Sequence, residues 1–523
     1  MSVYTVLARL AAVAFVLGFA LSGAPAAEPA VHSTYRLLPG FDVPGTPAAL
    51  DRIAWVERAA GARAPGAVVI LVPGFMGGAE NFRYFGERLV QRLPWVQVWA
   101  VDRRNNLLEN RSAMELAQLF GNPGLAAAYY FGGVDLPLCP PHFDPDPAVW
   151  NGWAREFALS QPEANALGMA RWGLETELED IRRLIAYAHA RYPRAKVFLG
   201  GHSLGGMTAQ LYAGWRFGGT ASTAGWREID GIILIDGGVD GPNWQPLLIG
   251  QYIRDLGFIA SGMVFWEDPS MGAAPFVGQL AEVAAFAASV APTAESFLWP
   301  SLPPPFTWPD ARTAPTNKAL FAAFTDNDTG FEPTFELRQG RLAVPVDLNG
   351  DGLPDMAAGG TRFLAHWTDF NQTTPPELSS ADVWARALWQ SWATNGVEWH
   401  FSIRLNADID LASNLDSTAL FRHPVSGEMV SAAELEGQRV LDTARVAIPV
   451  YAFAAAEGRE RFDWYRSVAT GVTDFTLVDH SDEGTTTPSP NPYSHLDPLF
   501  AADTGGFTNA CIASLAQWLT ARR

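Results

Sequence analysis

A chain of 523 residues exceeds what one compact core of ordinary size holds, so two to three domain-sized units are expected, one of them free to be an insertion. With 48% apolar, 12% aromatic and 17% charged residues the composition is globular, and no segment pairs low hydrophobicity with high charge as disordered chains do. A formal charge of -19 leaves no concentrated cationic face for phosphate backbones or anionic membrane surfaces, so nucleic acid is not an expected partner.

Residues 1–26 read as a secretory signal: Arg9 gives a weakly positive start, 10–21 is apolar, and Ala24-Pro25-Ala26 offers small residues for cleavage. The apolar run is shorter than the roughly 20 residues a bilayer core needs, and no later stretch reads as a span. Export to the periplasm or the exterior is therefore expected. Such a compartment permits disulfides, but Cys139 and Cys511 are the two cysteines of the chain. That count excludes a C-x-x-C redox centre and a cysteine-based zinc site, and leaves their pairing open.

The first part of an α/β core is expected over 27–240. Residues 67–72 form a continuous apolar, β-branched run closing at Pro73-Gly74, the pattern of a strand covered on both faces. Residues 96–101 and 197–199 read alike. Between them Leu174, Leu178, Ile181, Ile185 and Ala188 recur at steps of four and three, one apolar stripe on a helix that stops before Pro193. Strand, helix, strand in this order implies parallel pairing. Further strands are expected at 232–235, 446–453 and 475–478, and a closing helix at 510–519.

Two passages interrupt this pattern. Residues 104–171 are rich in aromatics, Gly and Pro; residues 241–440 read mainly as helices, among them 276–290 and 381–393, around Pro303-Pro304-Pro305. Both read as insertions into one mostly parallel sheet with helices on both faces, which resumes over 441–523. They are expected to cap the strand ends, where open α/β sheets bind their ligands. No internal repeat of fixed period occurs.

Directly after 197–199 comes Gly200-Gly201-His202-Ser203-Leu204-Gly205-Gly206, followed by a helical segment. The spacing Gly201-x-Ser203-x-Gly205 between strand and helix resembles the nucleophile elbow of the α/β-hydrolase family. A serine on so sharp a turn takes a strained backbone conformation, and the flanking glycines remove side chains that would collide with neighbouring elements. The resemblance implies a serine hydrolase of esterase or lipase type with Ser203 as nucleophile. Acyl chemistry needs two backbone N–H donors for the oxyanion. Leu204 would supply one, and Val72-Pro73-Gly74-Phe75-Met76-Gly77-Gly78 resembles the family's second donor loop, with Phe75 in the matching place. A Pro stands where a His often precedes this Gly.

The family's order of nucleophile, acid and histidine asks for a base late in the chain. Of nine histidines, His480 and His495 follow the last expected strand. His495, in Tyr493-Ser494-His495-Leu496-Asp497, resembles the loop before the closing helix and is the leading candidate. For the acid, the family's spacing after 448–453 leads to Glu457; Asp236, after 232–235, is the alternative, with Asp463 and Asp240 behind them. The resemblance covers about 35–235 and 445–523 and leaves the long second passage unexplained.

Within that passage Asp347-Leu348-Asn349-Gly350-Asp351-Gly352-Leu353-Pro354-Asp355 sets oxygen side chains at alternate positions, the pattern of a calcium loop. Asp347, Asn349, Asp351, the Leu353 carbonyl and Asp355 are the expected ligands. Ala358 at the twelfth position excludes a complete EF-hand. A calcium here would be structural, and catalysis needs no cofactor. The function expected from these features is hydrolysis of a carboxylic ester, small or polymeric, with an apolar or bulky substrate under the cap. Peptidase, amidase or acyltransferase chemistry on the same triad, and a non-catalytic calcium-organised binding module, are the alternatives. Oligomeric state has no signal.

Overall fold

The structure, a computed structural model, describes residues 29–523 apart from 62, 133, 140–160, 220, 240–244, 267–274, 302–307, 309–311, 327–336, 338, 344–352, 358–361, 370–377, 390–393, 413–419, 423–428, 432–442, 457, 482–491 and 504–507. Its centre is an eight-stranded sheet of β1 (His32–Pro39), β2 (Arg52–Ala59), β3 (Ala67–Val72), β4 (Val96–Asp102), β5 (Lys196–His202), β6 (Gly231–Ile235), β7 (Val450–Ala454) and β8 (Phe475–Asp479). The spatial order is β1-β2-β4-β3-β5-β6-β7-β8. β2 runs antiparallel to both its neighbours, and every other pairing is parallel.

The helices used below are α1 (Arg83–Arg92), α2 (Leu174–Arg191), α3 (Leu204–Gly214), α4 (Gln245–Ala260), α5 (Pro275–Val290), α6 (Asn317–Thr325), α7 (Ala381–Trp389), α8 (Ile403–Ala412), α9 (Gly458–Val468) and α10 (Ala510–Thr520). Strand alternation divides β3 between two cores. Val69 and Leu71 face Phe85 and Leu89 of α1 and Ile512 and Leu515 of α10; Val68, Ile70 and Val72 face Leu178 and Ile181 of α2 and Leu211 of α3. Every residue of β3 is buried, as its unbroken apolar run requires. All five apolar residues of the stripe on α2 are buried as well.

The long passage between β6 and β7 is not a separate bead. Leu280 and Val283 of α5, Leu320 and Phe321 of α6, and Trp384 and Leu388 of α7 extend the first core. Leu405 and Ile409 of α8 extend the second. It is also less purely helical than its sequence implies. Thr313–Pro315, Phe363–Asp369 and Gly340–Ala343 make a small sheet, and Leu420–Arg422 pairs with Met429–Ser431. The shorter passage carries helices Ser112–Phe120, Pro123–Gly132 and Gln161–Ala166.

Two strands are absent from the sequence reading. β1 is an edge strand whose residues alternate weakly, and β2 buries Glu57 and Arg58 within its apolar residues, breaking the hydrophobic signal. The Arg58 guanidinium is neutralised by Glu80 at 2.6 Å. The strand expected from 446 begins instead at Val450, after a 3-10 turn at Thr443–Arg445 and Pro449, which has no N–H for the ladder. Cys139 and Cys511 are both free thiols, Cys511 buried and Cys139 half-buried. Among the described residues no helix is long and apolar enough to cross a membrane.

Candidate active site

The register brings β5, β6 and β7 to a common end: His202 lies opposite Ile235, and Ile235 opposite Phe453. The residues that follow β5 and β6 are Ser203 and Asp236, so the two stand side by side on adjacent strand ends. Both are forced into positive φ, 54° for Ser203 and 42° for Asp236. Such backbone costs about 1–3 kcal/mol per residue and persists only where the surroundings impose it. Here the Ser203 N–H donates to Ile235 O at 3.0 Å, and the Asp236 N–H to Phe453 O at 2.8 Å.

Ser203 directly follows β5 and caps α3, with no room for side chains beside it. A Cβ on Gly205 would stand 1.9 Å from the Val72 carbonyl oxygen, so the elbow tolerates only glycine there. On the other side, a Cβ on Gly74 would stand 3.0 Å from the Ser203 Cβ, which places the 73–77 loop against the serine. Among the described residues, neither the Phe75 N–H nor the Leu204 N–H is bonded to another backbone group. This leaves both available to an incoming oxygen. Phe75 is 37% exposed and its ring rests on Phe401 at 4.4 Å.

His495 Nδ1 lies 2.7 Å from Asp236 Oδ2. Asp236 is fully buried, and its Oδ1 accepts the N–H groups of Ala455 at 2.7 Å and Gly458 at 2.8 Å. The turn after β7, from which the family spacing selects Glu457, is thus folded around the Asp236 carboxylate. The acid brought to the imidazole is Asp236; Glu457 itself lies outside the described residues, as does Asp240. Asp463 is on α9, exposed, and ion-paired to Arg459 at 3.0 Å. The His480 ring stacks on Phe453 at 5.3 Å and meets the edge of Tyr493 at 5.2 Å.

The His495 loop is held from three sides. Its carbonyl lies 2.8 Å from His202 Nε2, and the two rings are 4.5 Å apart, which sets His495 beside the residue preceding Ser203. Burial and the neighbouring His495 push the His202 pKa down to about 3, so His202 is neutral and Nε2 donates. Asp497 Oδ2 accepts both the N–H and the hydroxyl of Ser494, and its Oδ1 accepts the Ser379 hydroxyl of the long passage at 2.6 Å.

A serine presented at a strained elbow, two adjacent backbone donors and a carboxylate-bound imidazole can together perform acyl transfer through a covalent intermediate. The sheet order, its single antiparallel strand and this elbow decide the architecture. It is the α/β-hydrolase fold. No family model matches the chain, and no curated protein matches it. Among solved structures it is similar to a candidate lipase from Sulfolobus solfataricus, at 14% identity and a TM-score of 0.44 over 94% of this chain and 95% of that one. It is also similar to a soluble variant of monoglyceride lipase from Saccharomyces cerevisiae, at 11% identity and a TM-score of 0.36 over 90% and 91% of the two chains. A third is a carboxyl esterase from Bacillus coagulans, at 12% and 0.35 over 86% and 90%.

The expected calcium loop lies outside the described residues over 344–352. Of its five expected ligands the structure describes two. Leu353 is exposed, and Asp355 Oδ2 faces His366 Nε2 at 3.3 Å.

Behind the 73–77 loop lies a buried polar cluster that the sequence reading did not single out. Burial lifts the Glu398 carboxyl to about 8 against the opposing pull of Arg103, and lifts Asp102 to about 6 despite hydrogen bonds from Thr394 and Ala79. Burial also pushes His400, like His202, down to about 3. The histidines stay neutral in the folded chain while the unfolded chain protonates them, so their share of stability rises with pH between about 3 and 6.5. Glu398 does the reverse. It keeps its proton when folded and loses it when unfolded, so stability falls as pH rises from about 4.5 to about 8. Above about 6.5 the rise due to these two histidines has ended, while the fall due to Glu398 continues. The melting temperature by calorimetry is therefore expected to drop between pH 6.5 and 8, and Glu398→Gln to flatten that drop. A native melting temperature that is constant or rises over this window would contradict the assignment.

Proposed function

We propose that the protein is an exported serine hydrolase that cleaves carboxylic esters through an acyl-enzyme. Ser203 Oγ attacks the ester carbonyl carbon and its proton passes to His495 Nε2. The carbonyl oxygen becomes an oxyanion received by the N–H groups of Phe75 and Leu204. The imidazolium then gives its proton to the departing alcohol oxygen. Water, deprotonated by the same imidazole, attacks the acyl carbon, and Ser203 regains its proton as the acid leaves. Asp236 accepts a hydrogen bond from the Nδ1–H of His495 and stays ionised, which leaves Nε2 bare for the serine and stabilises the imidazolium.

The observation that carries this reading is the 2.7 Å contact of His495 with a fully buried Asp236, one strand away from the strained serine. The half-exposed Phe75 ring beside the elbow supports an apolar acyl or alcohol group. Export rests on the composition of residues 1–26. The proposal includes a structural calcium in the 347–355 loop, resting on the alternate oxygen side chains there; no step of the chemistry uses it.

Labelling with a fluorophosphonate tests nucleophile activation without knowledge of the substrate. Stoichiometric modification of the native protein is expected, lost in Ser203→Ala, together with turnover of p-nitrophenyl esters faster than of matched anilides. Faster anilide cleavage would make it an amidase, and acyl release only to an added alcohol would make it a transferase. A native protein that takes no label would end the reading.

A further inference from the structure

Arg103, the first residue after β4, is 5% exposed and has its guanidinium turned onto the loop that carries Phe75. Nη1 donates to Gly74 O at 3.0 Å and Gly77 O at 3.4 Å, and Nη2 donates to Pro73 O. Its Nε donates to the Glu177 carboxylate at 3.2 and 3.3 Å, and Glu398 Oε2 lies 3.4 Å from Nη1. A fourth carbonyl of the stretch is held by another partner: Met76 O accepts the Glu398 N–H at 2.8 Å.

A trans peptide turns its C=O and N–H to opposite sides. The Gly74 carbonyl and the Phe75 N–H belong to one peptide unit. A guanidinium that holds the Gly74 oxygen therefore aims the Phe75 N–H away from itself. A positive charge on that oxygen also polarises the peptide and strengthens the N–H as a donor. We infer that Arg103 is a positioning residue that orients the Phe75 N–H as an oxyanion donor. The inference rests on the proposed acyl-enzyme chemistry and adds to it a group that touches no substrate. Arginine suits the task because its planar fork reaches several carbonyls at once, which a lysine ammonium at the same place cannot do.

Arg103→Lys tests this, since it keeps a positive charge beside Glu177 and Glu398 while giving up the multiple contact. The readouts are kcat and KM for p-nitrophenyl acetate, and the affinity of an aryl trifluoromethyl ketone. Ser203 Oγ adds to that ketone's carbonyl carbon, its proton moves to His495, and the carbonyl oxygen becomes the bound oxyanion. Loss of one oxyanion donor costs about 100-fold to 1000-fold in kcat, so a misaimed donor is expected to cost about 10-fold to 100-fold. KM should stay within about twofold, and ketone affinity should fall by the same factor as kcat/KM. A kcat within about twofold of native, or a lower kcat with ketone affinity unchanged, would overturn the inference. If Arg103→Lys does not fold, Glu177→Ala removes the acceptor that orients the Nε edge; a parallel fall in kcat and ketone affinity supports the inference, and unchanged values overturn it. Ser203→Ala runs beside them. An active Ser203→Ala brings down the hydrolase reading and this inference together, whereas an inactive one beside a fully active Arg103→Lys removes only the inference.

Discussion

Ser203→Ala is expected to lower kcat for ester hydrolysis by about five to six powers of ten while leaving the protein folded. The size follows from the chemistry: without Oγ no acyl-enzyme forms, and the N–H groups of Phe75 and Leu204 are left to assist direct attack by water. The fold should be indifferent because alanine keeps the Cβ, so it inherits the same positive φ of 54° and the same contacts with Gly74. Turnover of a p-nitrophenyl ester and a melting curve on the same preparation check both halves. A variant retaining activity within about tenfold, an effect worth only about 1.4 kcal/mol, would remove Ser203 from the mechanism.

The second large effect separates the acids and the bases. Asp236→Asn is expected to lower kcat by about four powers of ten, while Glu457→Gln has little effect. The asparagine oxygen can still accept the N–H groups of Ala455 and Gly458, so the turn survives. Its amide then points a donor at His495 Nδ1, which forces the proton onto Nε2 and blocks the imidazole as a base. His495→Ala should match the serine variant, with the double variant little worse than either single, since such residues act as one unit. His480→Ala should be mild, its ring being part of an aromatic stack with Phe453 and Tyr493. A larger loss in Glu457→Gln than in Asp236→Asn would move the acid, and the opposite ranking of the histidines would move the base.

Much of the sheet was legible because parallel strands under helices are written as unbroken apolar runs, as in 67–72, and because the stripe on α2 keeps helical spacing. The elbow was legible because close approach leaves glycine no substitute. The edge strands were not, since β1 alternates weakly and β2 hides an Arg58–Glu80 ion pair inside its apolar residues. The acid stayed open for a different reason. Sequence spacing measures distance along the chain, whereas the Asp236–His495 contact is made across the sheet, by a register that aligns the ends of β5, β6 and β7. Asp236-Gly237-Gly238 directly after an apolar strand was the available signal. Arg103 carried a weaker one, a charged Asp102-Arg103-Arg104 step at the end of a buried strand; what it holds is set by the fold of the 73–77 loop, which no spacing encodes.

The passage between β6 and β7 leaves the sheet just beyond Asp236 and returns before His495, yet on the way it lends Ser379 to the histidine loop and the 395–398 backbone to the loop bearing Phe75. An insertion of this kind has ceased to be an accessory. Shortening the protein to its sheet and flanking helices would keep every residue of the proposed chemistry and discard the scaffolding that aims two of them. Variation in such a passage would then reach rate as well as substrate choice, and a transplanted cap would have to bring its own supports for both loops.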